Sequence, residues 1–206
     1  MAAAKTRIVV ATRNRDKLRE ICELLDADRF EILGLDDVQG VPEVEEDGAT
    51  LEENALKKAR VAAQVTGLPA LADDTGLEVE ALGGAPGVYS SRYAGEGATY
   101  ADNVRKLLNE LRGVPFEQRR ARFRCVVALV HDGVEEVVEG TCPGVITEEP
   151  RGEGGFGYDP VFLVPEVGKT FAEMSLEEKN AVSHRGKAFR AAARLLRRIL
   201  EEREAN

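Results

Sequence analysis

Two adjacent carboxylates, Asp73 and Asp74, are the residues of this chain best suited to chemistry. They follow the short apolar run Ala70–Ala72 and precede a threonine and a glycine. Neighbouring side chains of a strand point to opposite faces, so one carboxylate is expected to face a site and the other to pair structurally. Carboxylates at such a position hold hard cations such as Mg²⁺, although an Asx-turn pair at a strand end explains them equally well.

A second candidate is the polar loop Thr12–Lys17, which lies between an apolar run and a helical pattern. The free N–H groups and the dipole at a helix start favour an anion, and Lys17 could reach a phosphate. The loop lacks the glycines and the Lys-Ser/Thr ending of a Walker loop. An ordinary N-cap at Asn14, with Lys17 on a solvated face, is the alternative interpretation.

Four further groups of polar residues offer ligands for a charged or flat substrate. The acidic run Glu43–Asp47 could supply a metal ligand, and Asn54 and Lys58 share one helix face because they are four residues apart. The glycine-rich segment Gly154–Pro160 combines aromatic rings with a carboxylate, which suits a heterocycle. Three basic side chains precede the last helix, namely Lys179, His184 and Arg185.

The elements that must position these groups form a mixed pattern of strands and helices. Short strands are predicted at residues 8–11, 30–35, 70–72 and 161–164, and Asp132-Gly133 joins residues 123–130 and 134–142 in a hairpin. Helices are predicted after Asn14, from the Thr50 capping box to about Val65, after Thr99, after Ser175, and over 185–203. We therefore expect an α/β or α+β domain around a mixed sheet.

Length and charge narrow the class of protein. The 206 residues suit one domain, and the net charge of −9 argues against general affinity for nucleic acid. No apolar run approaches the roughly 18 residues of a membrane span. The three cysteines, Cys22, Cys125 and Cys142, form no metal spacing, so we expect them to be reduced and buried in a cytoplasmic protein.

Taken together and in order, these motifs resemble those of the inosine triphosphate pyrophosphatase family. They are TxNxxK, ENAxxKA, ADDTGLEVxALGGAPGVYSSRYAG, GGFGYDP and KNxxSHRG, and the resemblance runs from Ile8 to the final helix. Members are also called Ham1-like dITP/XTP pyrophosphatases, or noncanonical purine nucleoside triphosphate pyrophosphatases. The resemblance implies Mg²⁺-dependent hydrolysis of ITP, dITP or XTP to the monophosphate and pyrophosphate.

The resemblance also implies a fold and a set of roles. We expect one elongated, two-lobed mixed α/β domain over residues 1–206, an active-site cleft between the lobes, and a homodimer that binds a small nucleotide but neither nucleic acid nor membrane. Asp74 matches the catalytic base and metal ligand, and Glu45 the second metal ligand. The positions that match substrate-binding residues are Thr12, Arg13, Asn14, Arg15, Asp16, Lys17, Lys58, Thr75, Phe156, Gly157, Tyr158, Asp159, Lys179, His184 and Arg185.

Two departures from the family pattern leave alternatives open. Arg13 stands where many relatives carry glycine, so it could add charge toward phosphate. The acidic loop varies in length, so Glu43 or Glu46 could bind the metal instead of Glu45.

The rival functions are a Maf-like pyrophosphatase acting on other nucleotides and a nucleotide-binding module without turnover.

Overall fold

A computed structural model of the chain describes residues 5–204, which form a mixed α/β structure. Its sheet has the strand order β2-β1-β3-β5-β6-β7-β8, with β4 paired to β3. The strands are β1 Thr6–Val10, β2 Phe30–Leu33, β3 Ala70–Val79, β4 Pro86–Gly87, β5 Arg120–His131, β6 Val134–Ile146, β7 Phe162–Val164 and β8 Lys169–Thr170. The α-helices are α1 Arg15–Leu24, α2 Leu51–Thr66, α3 Tyr100–Glu110, α4 Leu176–Val182 and α5 His184–Glu204.

The strand directions confirm the expected mixed sheet. Strand β1 pairs in parallel with both β2 and β3, with Ile8 opposite Ile32 and Val9 opposite Ala70. Strand β7 is antiparallel to β6 and to β8. Parallel neighbouring strands need a crossover connection. Helix α1 connects β1 to β2, and helix α2 connects β2 to β3.

Two compact units divide the chain, and each has its own apolar core. Within the described residues, unit 1 comprises residues 5–74, 125–140 and 185–204, and unit 2 comprises residues 75–124 and 141–184. In unit 1 the apolar face of α5 packs against α1 and β1 through Phe189, Leu196 and Ile21. In unit 2 the centre contains Phe123 and Phe162, whose ring centroids are 4.6 Å apart.

The helix ends follow the local signals in the sequence. Asn14, Thr50, Thr99 and Ser175 cap the starts of α1, α2, α3 and α4 with their side chains. The reciprocal capping box forms at Thr99 and Ser175 but not at Thr50. There the carboxylate that should complete it, Glu53, accepts a hydrogen bond from the Ala49 N–H at 2.7 Å instead.

Two expectations need correction. Strand β3 does not end before Asp73 but runs through both aspartates to Val79, because each carboxylate has cationic and hydrogen-bonding partners inside the fold. Cys22 is exposed rather than buried, and all three thiols are free. Within residues 5–204, no helix is both long enough and apolar enough to span a membrane.

Candidate functional site

The loop between β1 and α1 is organised by its own side chains. Asn14 Oδ1 accepts hydrogen bonds from the N–H groups of Asp16 at 3.0 Å and Lys17 at 3.1 Å, and Thr12 Oγ1 accepts one from the Asn14 N–H at 3.1 Å. The Arg13 guanidinium donates to the carbonyl of Val41 at 2.8 Å. Arg13 thus ties this loop to the chain just before the acidic run, a role that the sequence did not indicate.

Three of the six predicted loop residues, Arg13, Arg15 and Asp16, lie at the surface. Arg15 is paired with Asp36 at 3.7 Å, with the side chains 90% and 71% exposed. Asp16 is also exposed and lies in the first turn of α1. Lys17 turns inward, since its side chain is only 17% exposed. Lys17 is therefore the cation of this loop that the structure brings to the aspartates.

Asp73 is the centre of a buried ion cluster in unit 1. Its side chain has no exposed surface, and its Oδ2 lies 3.0 Å from Lys17 Nζ and 3.5 Å from Arg185 Nη2. Arg185 Nη1 also donates to Glu20 Oε2 at 2.6 Å. Burial alone would raise the pKa of Asp73, but Lys17 and Arg185 outweigh it and hold this pKa well below its usual range. Asp73 is consequently charged at neutral pH.

Asp74 lies in a different environment from its neighbour. The Asn54 amide donates to Asp74 Oδ2 at 3.0 Å, and Lys58 Nζ lies 3.9 Å from Oδ1. Burial raises the pKa of Asp74 above its ordinary value in spite of Lys58. A carboxylate whose pKa is shifted upward is a better proton acceptor, and this is the character expected of a general base.

Lys58 connects Asp74 to the acidic segment. Its ammonium hydrogen-bonds to Glu46 and donates to the carbonyl oxygen of Asp73 at 2.7 Å. Glu45, by contrast, is exposed, and its backbone carbonyl accepts a hydrogen bond from Lys57 at 2.9 Å. The geometry therefore favours Glu46, one of the open alternatives, as the acidic-segment partner of Asp74.

Glu46 and Asp74 are the two carboxylates of this site that could hold a metal ion. Residues 5–204 contain no group of three or more His, Cys, Asp or Glu side chains arranged to hold a metal by themselves. The Glu46 carboxylate nevertheless pairs with the Lys58 ammonium, and Asp74 Oδ1 lies 3.9 Å from the same ammonium. Two carboxylates therefore lie close to one positive charge. Mg²⁺ is usually held by one or two carboxylates together with water and substrate phosphates, which matches this donor set.

In unit 2 the segment Phe156–Asp159 is held by a buried ion pair. Lys179 Nζ donates to Asp159 Oδ2 at 2.5 Å, and both side chains are at most 5% exposed. The same carboxylate oxygen accepts the Phe156 N–H at 2.8 Å, and the ammonium lies 4.8 Å from the centre of the Phe156 ring. Gly155 is required here, because a Cβ would lie 2.0 Å from Asp159 Oδ2. Lys179 thus fixes the aromatic loop.

The other predicted residues of unit 2 are mostly buried. His184 stacks on Phe123, with ring centroids 4.5 Å apart and planes 13° apart. The Tyr158 hydroxyl donates to the carbonyl of Ser90 at 2.8 Å. Thr75 is half-buried directly after Asp74. A surface pocket of about 660 Å³ in the same unit is lined by residues of the 94–110 region and includes none of the predicted site residues.

Comparison with known protein families decides the identity of the fold. The model of the Ham1 family matches residues 8–195. The chain belongs to the Ham1 family. A dITP/XTP pyrophosphatase of Geobacter sulfurreducens is 61% identical over 185 residues, covering 89% of this chain and 93% of the relative. One from Escherichia coli strain K12 is 52% identical over 194 residues, covering 93% and 98%.

Solved Ham1 structures share the architecture. A HAM1 protein from Coxiella burnetii is 46% identical, has a TM-score of 0.84, and covers 94% of this chain and 99% of its own. The Ham1 protein of Staphylococcus aureus is 39% identical, has a TM-score of 0.82, and covers 93% and 98%. The mixed α/β fold expected from the Ham1-like motifs is therefore confirmed.

The sequence did not indicate one residue that shapes this Ham1 site, Glu20, and it indicated a second, Asn54, only as a polar residue on the helix face of Lys58. Asn54 is 1% exposed and joins Asp74 to the N–H of Gly48, which donates to its Oδ1 at 2.8 Å. Its four-residue spacing from Lys58 was the available signal. Glu20 was not noticed at all, although a glutamate one residue before the buried Ile21 on the apolar side of α1 needs a cationic partner.

Proposed function

We propose that this protein hydrolyses noncanonical purine nucleoside triphosphates, namely ITP, dITP and XTP, to the monophosphate and pyrophosphate. The proposal depends chiefly on one observation, the convergence of Lys17 and Lys58 on the two adjacent aspartates of β3. A triphosphate carries close to four negative charges near neutral pH, so a protein of net charge −9 needs such a local concentration of cations. The relatives named dITP/XTP pyrophosphatase support the substrate class.

The two groups of residues have different proposed roles. In unit 1, Lys17, Lys58 and the N–H groups at the start of α1 bind the phosphates. Asp74 accepts a proton from the attacking water, whose oxygen forms the new P–O bond while pyrophosphate leaves with the electrons of the broken bond. In unit 2, Asp159 with Lys179 holds the Phe156 ring in place, and the family resemblance assigns this segment to recognition of the base.

We propose Mg²⁺ as the cofactor, held by Asp74 and Glu46, with Glu45 as the alternative ligand. When bound, it would neutralise phosphate charge and orient the phosphate oxygens. A cytoplasmic location is supported by three free thiols, and a homodimer is supported by the family resemblance alone. Sedimentation of the purified protein tests the dimer.

Pyrophosphate release from a panel of nucleotides tests the function. ITP, XTP and dITP should be hydrolysed with kcat/KM at least about 100-fold above that for ATP, because hypoxanthine and xanthine present an acceptor oxygen at C6 where adenine presents a donor amine, and a site built on hydrogen bonds rejects the wrong group strongly. GTP and dTTP complete the panel. Chromatography should show monophosphate and pyrophosphate rather than diphosphate and phosphate. Preference for dTTP or a methylated nucleotide would favour the Maf-like alternative, and nucleotide binding without turnover would favour the binding module.

A further inference from the structure

The Asp73 carboxylate belongs to a buried row of alternating charges in unit 1. The row runs from Glu20 to Arg185 at 2.6 Å, from Arg185 to Asp73 at 3.5 Å, and from Asp73 to Lys17 at 3.0 Å. The side chains of Glu20, Arg185 and Asp73 are at most 5% exposed, whereas that of Lys17 is 17% exposed. Three members of the row are therefore shielded from solvent, and only Lys17 reaches it.

Stability does not explain why such a row would be built. Two buried charges lose their hydration, and replacing a buried ion pair by apolar groups of similar volume is often neutral or stabilising. What a buried pair does supply is a fixed position for each charge, because leaving either partner alone is strongly unfavourable. The position that is fixed at the open end is that of the Lys17 ammonium.

We propose that Asp73 is a positioning residue that fixes the Lys17 ammonium for the substrate phosphates, and that Arg185 and Glu20 hold Asp73 in place for this task. The inference rests on the proposed function, because it assigns phosphate binding to Lys17. Asp73 touches no reacting atom in this scheme. It acts through Lys17, in the way that supporting hydrogen bonds hold a catalytic group within a fraction of an ångström.

The negative charge of Asp73 makes positioning distinguishable from a simple charge effect, because the two predict different changes in binding and kcat when Asp73 is neutralised. A carboxylate close to Lys17 repels phosphate, so on charge alone Asp73→Asn should bind triphosphate more tightly and lose no rate. If Asp73 instead fixes Lys17, the neutral variant still binds nucleotide but lowers kcat, because the ammonium no longer meets the phosphates in the reactive geometry. We expect kcat to fall at least about tenfold while KM for ITP changes less than about threefold.

A double-mutant cycle separates positioning from a general structural effect. Asp73→Asn is measured in the wild-type background and in the Lys17→Met background. If Asp73 acts through Lys17, its loss costs less than about threefold in kcat once Lys17 is gone. A cost of about tenfold in both backgrounds, which is the additive result, would overturn the proposal. Glu78→Gln is the matched control, because Glu78 is also shared by two cations, Arg122 at 2.6 Å and Arg124 at 3.0 Å, outside the candidate site.

Two additional measurements keep the inference independent of folding and of turnover. Asp73→Glu retains the charge but displaces the carboxylate by one methylene, so kcat should stay at least about threefold below wild type, and wild-type kcat would refute positioning. Labelling of Lys17 by an amine-reactive ester, followed by mass spectrometry, should be at least about threefold faster in Asp73→Asn than in wild type or Glu78→Gln. Equal labelling would refute the link between the two residues. If the wild-type protein hydrolyses no purine triphosphate, the proposed function fails, and the labelling comparison still decides whether Asp73 fixes Lys17.

Discussion

Replacing Asp74 by asparagine should nearly abolish turnover without weakening the fold. The substitution keeps the shape of the side chain, and an amide oxygen can still accept the hydrogen bond that Asn54 donates at 3.0 Å. It removes the proton acceptor, which is worth about 10²–10⁴-fold in rate, and it also removes one proposed metal ligand. We therefore expect kcat to fall at least about 10³-fold, or about 4 kcal/mol of barrier.

The effect on stability should have the opposite sign to that on activity. Burial raises the pKa of Asp74 in the folded protein, so folding favours its protonated form. The stability associated with this proton is fully present below the unfolded pKa of about 3.9 and is lost as the pH rises through the raised folded pKa. Asparagine carries no such penalty at neutral pH. In the presence of a chelator, Asp74→Asn should be at least as stable as wild type at neutral pH, and the loss of stability as the pH rises through the folded pKa of Asp74 should disappear.

Pyrophosphate release from ITP and urea unfolding in EDTA measure the two effects. Glu135→Gln is the control, since that exposed carboxylate pairs with Arg60 at 2.7 Å; it should leave both quantities unchanged. The reasoning about Asp74 is wrong if Asp74→Asn keeps more than about a tenth of the wild-type rate, which corresponds to only ~1.4 kcal/mol. A large loss of stability in this variant would instead show that the charge of Asp74 supports the fold.

Three further predictions concern the partners of the aspartates. Glu46→Gln should raise the Mg²⁺ concentration needed for half-maximal activity about tenfold and Glu45→Gln should not, because Glu46 shares Lys58 with Asp74; the reverse order in a Mg²⁺ titration would return the ligand role to Glu45. Calorimetry should show that Lys17→Ala weakens ITP far more than IMP, and equal losses would remove Lys17 from the phosphate site. Arg185→Lys keeps the charge but loses the planar fork that Glu20 and Asp73 share, so kcat/KM for ITP and for ATP should fall by the same factor; a larger fall for ITP would assign Arg185 to reading the base.

Local signals were sufficient for much of the fold. The helix α2 begins after Thr50 and ends at Gly67, whose φ of 68° suits glycine, and both residues were recognisable from type and spacing. The hairpin of β5 and β6 turns at Asp132 and Gly133, which have φ angles of 45° and 80°. Such features depend on a few consecutive residues, so the sequence alone was enough to predict them.

The continuation of β3 could not be predicted in the same way. Two consecutive carboxylates normally mark the end of a buried strand, because an unpaired charge in the interior is very costly. Here the strand continues because Lys17 comes from α1, Lys58 from α2 and Arg185 from α5. These partners are distant in sequence, and no local pattern shows that they meet at one strand.

The same dependence on distant partners changes what several predicted residues can do. The motifs indicated Lys179 and Arg185 as cations for substrate, yet each is already matched to a buried carboxylate, Asp159 and Asp73 respectively. A cation that is at most 4% exposed and paired with a buried carboxylate has little charge to offer a new anion, so its larger effect is to fix its partner. Lys17 combines a buried partner with exposed surface, and this combination makes it the cation on which phosphate binding in unit 1 should chiefly depend.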